Sequence, residues 1–519
     1  MGGERVRGLG SDLPFEGPGP DEHLGQQAAT SVLWLTARAW IVRVGGVVTV
    51  AILTRLLSPE DFGLVAAALT VLPLIYLISD LGFSTYIVQT RDPTRQVLST
   101  GFWFSVVVGG LFCLVLTSGS TLLADLFHLP GVAPVFRWFA LSVVFVALGS
   151  VPTAIMRRRM AFRALAVQGG VAALVAQVVA VVMSLNGAGV WALVAQSLVA
   201  QALMCVMVWV SARWVPALTF SAKDFVVMVR FGGQVVAVEF VAMARVWMET
   251  AIIVWSLGAP GLGYYNIAQR LIQVLQDLSA SALVPVSIVT FARLQAQKDR
   301  LRAAYLRALG VTYAAVAPVL TFVAVGAPQI VPILFGSGWE SSVVVVQALA
   351  VAGIMTLGAS LDHGLFYGAG KPGRWLVYAL FVDVATVATT AFSVRYGLVG
   401  VAVGFVLVAL VATGARWLIV SRLLGARVSM VWKPFRALSI EVLLSACVGF
   451  GALQATTEFP SVLSLGLAGV VIVTIHAVAV RLLTPALFVD VLNQIPPRAK
   501  AWLMRRPISW LANPGTEGS

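Results

Sequence analysis

The feature that most constrains this chain is the recurrence of long apolar runs along nearly its whole length. Each run covers about 18–25 residues, which is the length that an α-helix needs to cross a bilayer. The composition agrees, because 59% of the residues are hydrophobic and 11% are charged, whereas soluble proteins average about 45–50% and 25%. The sequence therefore predicts an all-α polytopic membrane protein.

About fourteen such runs can be distinguished. They lie at residues 31–56, 61–82, 99–123, 132–153, 164–185, 188–212, 225–256, 262–290, 303–327, 342–367, 374–394, 397–421, 436–456 and 462–484. The connectors between them alternate in charge: one set is rich in Arg and Lys, as at residues 157–159 and 298–302, and the other set has almost no cations. Positive connectors mark the cytoplasmic side of a membrane protein. Both termini are therefore expected in the cytoplasm.

Three blocks of the first half are repeated in the second half, about 200–211 residues later. SPEDFGLVAAAL at 58–69 matches GAPGLGYYNIAQRL at 258–271, LFHLPGVAPVFRWFALS at 126–142 matches LFGSGWESSVVVVQALA at 334–350, and NGAGVWALVAQ at 186–196 matches RYGLVGVAVGF at 395–405. An offset that spans an even number of helices keeps both copies in the same orientation. This pattern predicts two pseudo-symmetric six-helix lobes related by an axis along the membrane normal, as in two-lobed transporters.

The repeat and the apolar runs together predict a division of the chain into six parts. The two terminal tails are predicted from their composition. The first tail is polar and rich in Gly and Pro, and the last is basic and contains tryptophans. The parts are a disordered cytoplasmic tail at 1–29, an N lobe at 30–212, a linker at 213–223, a C lobe at 224–421, two C-terminal helices within 436–484, and a basic cytoplasmic tail at 485–519.

A charge inside an apolar run costs about 2.5–3.5 kcal/mol on insertion scales, and four arginines in such runs are candidate cavity cations. They are Arg38, Arg43, Arg245 and Arg270. Arg43 and Arg245 occupy similar depths in the first helices of the two lobes, so they are expected on opposite walls of one cavity. A cavity with more cations than local acidic partners predicts an anionic substrate, and the planar guanidinium suits phosphate.

Arg270 is also part of a polar series on the run at 262–290. Its other members are Gln269, Gln273, Gln276 and Asp277, and their spacing predicts one polar stripe that faces water or protein. For Arg245 a second interpretation stays open. Glu249 follows it at i+4, and the two could form a private salt bridge without any role in transport.

Acidic residues in the runs are candidates for ion coupling. They are Glu239, Glu249, Asp277 and Asp383. Asp383 shares a helical face with Thr386 and Thr390, and such groups can bind Na⁺ or carry a proton, although hydrogen bonds between helices are an equal alternative. Asp362 and Glu441 favour the helix-contact interpretation. Scattered cysteines and histidines predict no metal site and no cofactor, and GAGKPG at 368–373 is expected to be a turn.

The stretch LTRLLSPEDFGLVAAALTVLPLIYLISDLGFSTYIVQTRDPT at 53–94 closely resembles the N-terminal block of polysaccharide transporters. These are Wzx-like oligosaccharide-lipid flippases of the multidrug/oligosaccharidyl-lipid/polysaccharide exporter superfamily. The blocks at 258–271, 291–309 and 334–353 resemble later blocks of the same family. The resemblance implies a central cavity that alternates between the membrane faces, and cavity cations that hold the pyrophosphate or acidic sugars of the cargo. One departure is that Glu249 and Thr250 stand where many relatives have an Asp-Asn-like pair.

The expected function is thus a flippase that moves a polyprenyl-pyrophosphate-linked oligosaccharide across the bacterial plasma membrane for surface polysaccharide synthesis. Its expected partners are the lipid-linked anionic oligosaccharide, membrane lipids, a polysaccharide polymerase and glycosyltransferases, with no nucleic acid. A cation-coupled multidrug antiporter of the same superfamily is the main alternative. A membrane polymerase or ligase fits less well because no large outer loop is present, so no enzyme activity is expected, and a scaffold for glycan assembly is a remote alternative.

Overall fold

The computed structural model describes residues 45–90, 93–129, 131–159, 161–485 and 487–489. This part of the chain is α-helical and contains no strand. Its helices are α1 Gly45–Leu56, α2 Pro59–Asp80, α3 Phe83–Gln89, α4 Arg95–Ser118, α5 Ser120–Leu126, α6 Val132–Arg158, α7 Phe162–Leu185, α8 Val190–Ala212, α9 Ala222–Leu294, α10 Lys298–Phe335, α11 Ser342–Thr356, α12 Ala359–Gly368, α13 Pro372–Ser393, α14 Gly397–Leu424, α15 Val428–Ala455 and α16 Ser461–Leu483.

The all-helical membrane architecture predicted from the sequence is confirmed. Ten helical segments in the described part of the chain are long and apolar enough to cross a membrane. Each predicted run from 61–82 onward coincides with helix, although the run at 99–123 is divided between α4 and α5 and the run at 342–367 between α11 and α12. The expected turn at 368–373 separates α12 from α13. The count of fourteen spans stays a prediction.

α9 contains two of the predicted runs, joined at Gly258. This residue has φ +69° and ψ −173°, a conformation that glycine adopts without a steric penalty. Glu249 and Tyr265 lie eight residues on either side of Leu257 and are hydrogen-bonded to each other. The two parts of α9 are therefore antiparallel, and we call residues 222–257 the first arm and residues 259–294 the second arm.

The helices pack in two groups along a shared seam. In the first group α6 contacts α2, α4 and α8, and α7 packs on α8. In the second group α9 contacts α11, α12 and α13, and α14 packs on α11 and α13. The paired helices α15 and α16 pack on α10. The most extensive contact between elements joins α2 to α9, so these two helices form the seam between the groups.

At this seam two glycines bring the helix backbones together. Gly63 of α2 lies against the backbone of Ala259, and Gly263 of the second arm lies against the backbone of Pro59. The contact is reciprocal, because Gly263 lies 200 residues after Gly63 and Ala259 lies 200 residues after Pro59. This is the spacing of the first sequence repeat. The capping box of Ser58 and Asp61, with Pro59 at the first helical position, starts α2 at this point.

Candidate substrate-binding site

A cavity of about 740 Å³ lies among α9, α11, α13 and α14. We call it the C-half cavity because every residue that lines it lies between positions 245 and 412. Its volume is within the range of small-molecule binding pockets, about 300–1,000 Å³. The polar and aromatic residues that line it are Arg245, Tyr265, Gln269, Gln273, Gln276, Thr356, Trp375, Tyr378, Asp383, Thr386 and Phe405.

Arg245 stands at the centre of an ionic group in this cavity. Its Nη1 donates to Glu249 Oε2 over 2.8 Å, and its Nε lies 3.0 Å from Asp383 Oδ1 on α13. The Tyr265 hydroxyl donates to the second carboxylate oxygen of Glu249. The Arg245–Glu249 salt bridge is therefore real but not private, because Asp383 from another helix shares the arginine.

This ionic group changes the charge expected for the cavity. Two carboxylates, Glu249 and Asp383, contact the one guanidinium of Arg245. Among the described residues, this ionic group therefore has no excess of positive charge. The side chains of Arg245 and Asp383 are 30% and 31% exposed, whereas Glu249 is only 4% exposed and supports them from behind. The expectation of an unpaired cation at Arg245 is not met.

Arg270 lines a different pocket, of about 250 Å³, which we call the inter-half pocket. Its walls come from α1, α7, the second arm of α9 and Phe335 of α10, and Gln177 of α7 is its other polar residue. Arg270 is exposed and forms no hydrogen bond or salt bridge with any described residue. Its guanidinium is therefore available to an anion in a pocket between the two groups of helices.

The structure divides the polar stripe that the sequence predicts on the second arm. Gln269, Gln273 and Gln276 line the C-half cavity, whereas Arg270 lines the inter-half pocket with Val274. The reason is geometric: successive residues of an α-helix point about 100° apart. Arg245 and Arg270 therefore do not share one cavity.

Four of the predicted site residues fall wholly or partly outside the described structure. Arg38 and Arg43 precede residue 45 and lie outside the described residues. Glu239 and Asp277 belong to α9, but their side chains are not among those described. The placement of Arg43 opposite Arg245 therefore stays a prediction.

The sequence reasoning missed a buried ionic group next to the cavity. Arg416 of α14 forms a 3.0 Å salt bridge with Asp362 of α12, and their side chains are 2% and 0% exposed. The Tyr305 hydroxyl donates to Asp362 Oδ1 over 2.6 Å. Arg416 also donates to the carbonyl oxygens of Met355 and Thr356, where α11 ends. The available signal was a lone arginine inside the run at 397–421.

A family model described as "Polysaccharide biosynthesis protein" matches residues 52–344. Among curated proteins, the chain is 28% identical over 346 residues to the succinoglycan biosynthesis transport protein ExoT of Rhizobium meliloti (strain 1021), which covers 66% of this chain and 70% of that protein. It is 24% identical over 428 residues to the lipopolysaccharide biosynthesis protein WzxC of Escherichia coli (strain K12), covering 79% and 85%.

Two solved structures show the same fold. The lipid II flippase MurJ in an inward closed conformation superposes with a TM-score of 0.71 at 12% identity, covering 87% of this chain and 99% of that chain. A multidrug resistance MATE family transporter in an inward-facing conformation has a TM-score of 0.58 at 16% identity, covering 74% and 98%. At these identities the likeness concerns the fold alone. The family model covers more than half of the chain, and the chain therefore belongs to the family of polysaccharide biosynthesis proteins.

Proposed function

We propose that this protein is a flippase that moves a polyprenyl-pyrophosphate-linked oligosaccharide from the inner to the outer leaflet of a bacterial plasma membrane. The observation that carries the proposal is the family match at residues 52–344. The relatives named for succinoglycan transport and lipopolysaccharide biosynthesis support the same class of cargo. The fold shared with a lipid II flippase is consistent with it.

In this mechanism the anionic headgroup enters between the two groups of helices while the prenyl tail stays in lipid. Arg270 lines the inter-half pocket and has no partner among the described residues, so it can donate to the pyrophosphate as water leaves. Arg43 and Arg38 precede α1, whose residues Gly46, Val47 and Val50 line the same pocket. Arg38 and Arg43 lie outside the described residues, and their role as further headgroup ligands is proposed from the sequence alone.

We further propose that Arg245 and its two carboxylates couple the cycle to an ion. A proton or Na⁺ bound at Asp383 would weaken the 3.0 Å contact between Asp383 and Arg245 without exposing Glu249. Because Arg245 lies on the first arm and Asp383 on α13, breaking this contact would loosen two helices of the cavity wall. An ion can shift such an equilibrium only through its different affinities for the two states.

The remaining parts of the proposal concern topology and partners. The division into two lobes is supported by the reciprocal contact of Gly63 and Gly263 at the seam. The cytoplasmic position of both termini is proposed from the alternating charge of the connectors. The inner-membrane location is supported by the ten apolar helices and the transporter relatives. A polysaccharide polymerase and glycosyltransferases are proposed to work before and after the flipping step, and this chain is proposed to have no enzyme activity of its own.

The direct test is a deletion strain of the organism that carries the gene. We expect loss of surface polysaccharide and accumulation of the lipid-linked oligosaccharide in the inner leaflet, measured by access of an added glycan-modifying enzyme to spheroplasts and to inverted vesicles. Wild-type protein should restore transport, and Arg270→Ala should not. Unchanged surface polysaccharide in the deletion strain would contradict the proposal.

A cation-coupled multidrug antiporter is the second candidate. Its specific support is the excess of carboxylates over arginine in the C-half cavity, because cationic drugs need acids, together with the fold shared with a MATE transporter. This function predicts that the deletion strain becomes sensitive to cationic dyes while its surface polysaccharide is unaffected. The flippase proposal predicts the opposite pattern.

A further inference from the structure

We infer that the C-half cavity is a binding compartment for uncharged sugar units, separate from the inter-half pocket where Arg270 would hold phosphate. The inference rests on the proposed function, because it divides a lipid-linked oligosaccharide between two places on the protein. It assigns the glycan and the pyrophosphate to different faces of the second arm. An oligosaccharide of several units is long enough to reach around one helix, whose diameter is about 10 Å.

The first argument is the charge of the cavity. Arg245 is bonded to both Glu249 and Asp383, so these three groups have a net charge of −1 when all are ionised. A phosphate placed beside Asp383 would meet a carboxylate and an arginine that is already paired. Electrostatic repulsion therefore disfavours the pyrophosphate in this cavity.

The second argument is the set of free hydrogen-bonding groups. Gln269, Gln273 and Gln276 line one side of the cavity, and none of their amides is bonded to another group in the part of the chain that the structure describes. Each amide has two N–H donors and one carbonyl acceptor. Asp383 contacts Arg245 through Oδ1, which leaves Oδ2 as an acceptor. Amide donors beside amide and carboxylate acceptors match the hydroxyl groups of a sugar, which both donate and accept.

The third argument is the aromatic wall on α13. Trp375 and Tyr378 line the cavity one helical turn apart, with ring centroids separated by 5.1 Å. The Tyr378 hydroxyl donates to the carbonyl oxygen of Ala412 over 3.2 Å, which fixes the ring. Aromatic faces carry partial negative charge, so they attract the polarised C–H groups on the flat side of a pyranose ring.

A cationic drug is the competing ligand, since aromatic rings and carboxylates also attract cations. The geometry argues against it, because both carboxylates are already neutralised in part by Arg245. The three glutamines add hydrogen-bonding capacity without charge. A neutral polyhydroxy ligand can use the glutamine amides and the aromatic faces together, whereas a drug cation would leave the amide donors without acceptors.

The test uses the purified full-length protein in detergent and three probes. These are neutral oligosaccharides released by partial hydrolysis from the strain's own surface polysaccharide, inorganic pyrophosphate, and ethidium. Dissociation constants are measured by calorimetry for wild type, Gln273→Ala, Trp375→Leu and Arg270→Ala. Val384→Ala is the matched control, because Val384 lies on the same helix as Trp375, is 67% exposed and does not line the cavity.

We expect Gln273→Ala and Trp375→Leu to weaken oligosaccharide binding at least about fivefold and to leave pyrophosphate binding unchanged. Retained pyrophosphate binding also shows that these variants are folded. Arg270→Ala should show the reverse, and Val384→Ala should match wild type with both probes. The inference is overturned if wild type does not bind the oligosaccharides, if the two cavity variants bind them as tightly as wild type, or if those variants weaken ethidium binding instead.

The proposed flippase function is tested independently of this binding experiment, in the deletion strain. If lipid-linked oligosaccharide does not accumulate there, the flippase assignment is wrong whatever the purified protein binds. If it does accumulate and the cavity variants bind sugar normally, only the assignment of the C-half cavity is wrong.

Discussion

Gly63 and Ala259 are packed so tightly that a β-carbon on Gly63 would lie 1.9 Å from the carbonyl oxygen of Ala259. The reciprocal contact is equally close, since a β-carbon on Gly263 would lie 2.0 Å from the carbonyl oxygen of Pro59. Together these contacts join α2 to the turn of α9, at the ends of both helices that are predicted to face outward. Any conformation that opens the protein on that side must separate them.

The first prediction concerns this glycine contact. Gly63→Ala should lower the thermal midpoint of the purified protein, because the new methyl group forces α2 and α9 apart at a cost of about 1–3 kcal/mol. Gly110→Ala is the control, since Gly110 is also within a helix but has no atom within 4 Å of an added β-carbon. Equal midpoints for the two variants would show that the seam tolerates separation.

The second prediction concerns Arg270. Because this side chain has no described protein partner, Arg270→Ala should leave the thermal midpoint within about 1 °C of wild type, as ordinary surface substitutions do. Transport of the lipid-linked oligosaccharide should fall by at least about tenfold, the loss expected for a charge-assisted hydrogen bond. Arg270→Lys should recover only part of the activity, since an ammonium lacks the planar fork. Normal transport by Arg270→Ala would remove this arginine from the mechanism.

The third prediction compares the two carboxylates on Arg245. Glu249→Ala should destabilise the protein by about 1–3 kcal/mol, because it leaves the buried Tyr265 hydroxyl without its acceptor. Asp383→Ala should cost about 0–1 kcal/mol, because its salt bridge is partly exposed. Transport by Asp383→Ala should lose its dependence on Na⁺ or on the proton gradient. A retained ion dependence would place the coupling elsewhere.

The fourth prediction concerns Arg416 and Asp362. Each single variant, Arg416→Met or Asp362→Leu, leaves one buried charge unpaired and should lower the free energy of unfolding by about 3–5 kcal/mol. The yield of folded protein should fall strongly as a result. The double variant should recover most of the yield, because neither charge is then present. A double-mutant cycle on the thermal midpoint measures the coupling, and additive losses would show that the two residues act independently.

The fold was predictable to a large extent because its signals are local. A helix that crosses a membrane must be long and apolar, so a long apolar run predicts one such helix. The start of α2 is also visible in the sequence, as Ser58, Pro59 and Asp61. The break between α11 and α12 was not predictable from hydropathy. At this break the carbonyl oxygens that end α11 accept hydrogen bonds from Arg416, which comes from the distant helix α14.

The site was predictable in part. The sequence identified four charged residues inside apolar runs as candidate site residues, because an unpaired charge in the membrane is costly. They are Arg245, Glu249, Asp383 and Arg270. It could not assign partners, since the contact of Arg245 with Asp383 joins residues 138 positions apart. Nor could it show that Trp375 and Tyr378 line a cavity with the three glutamines, because aromatic residues are also common in lipid-facing helices.

The sequence by itself therefore determined that the chain is a helical membrane protein of a polysaccharide-transport type, because length, apolarity and repeated motifs are properties of contiguous residues. Only the tertiary structure decided which charges are paired and which cavity each of them faces. Neighbouring residues such as Gln269 and Arg270 point to different surfaces of one helix, and the helices that pack on each surface come from distant parts of the chain.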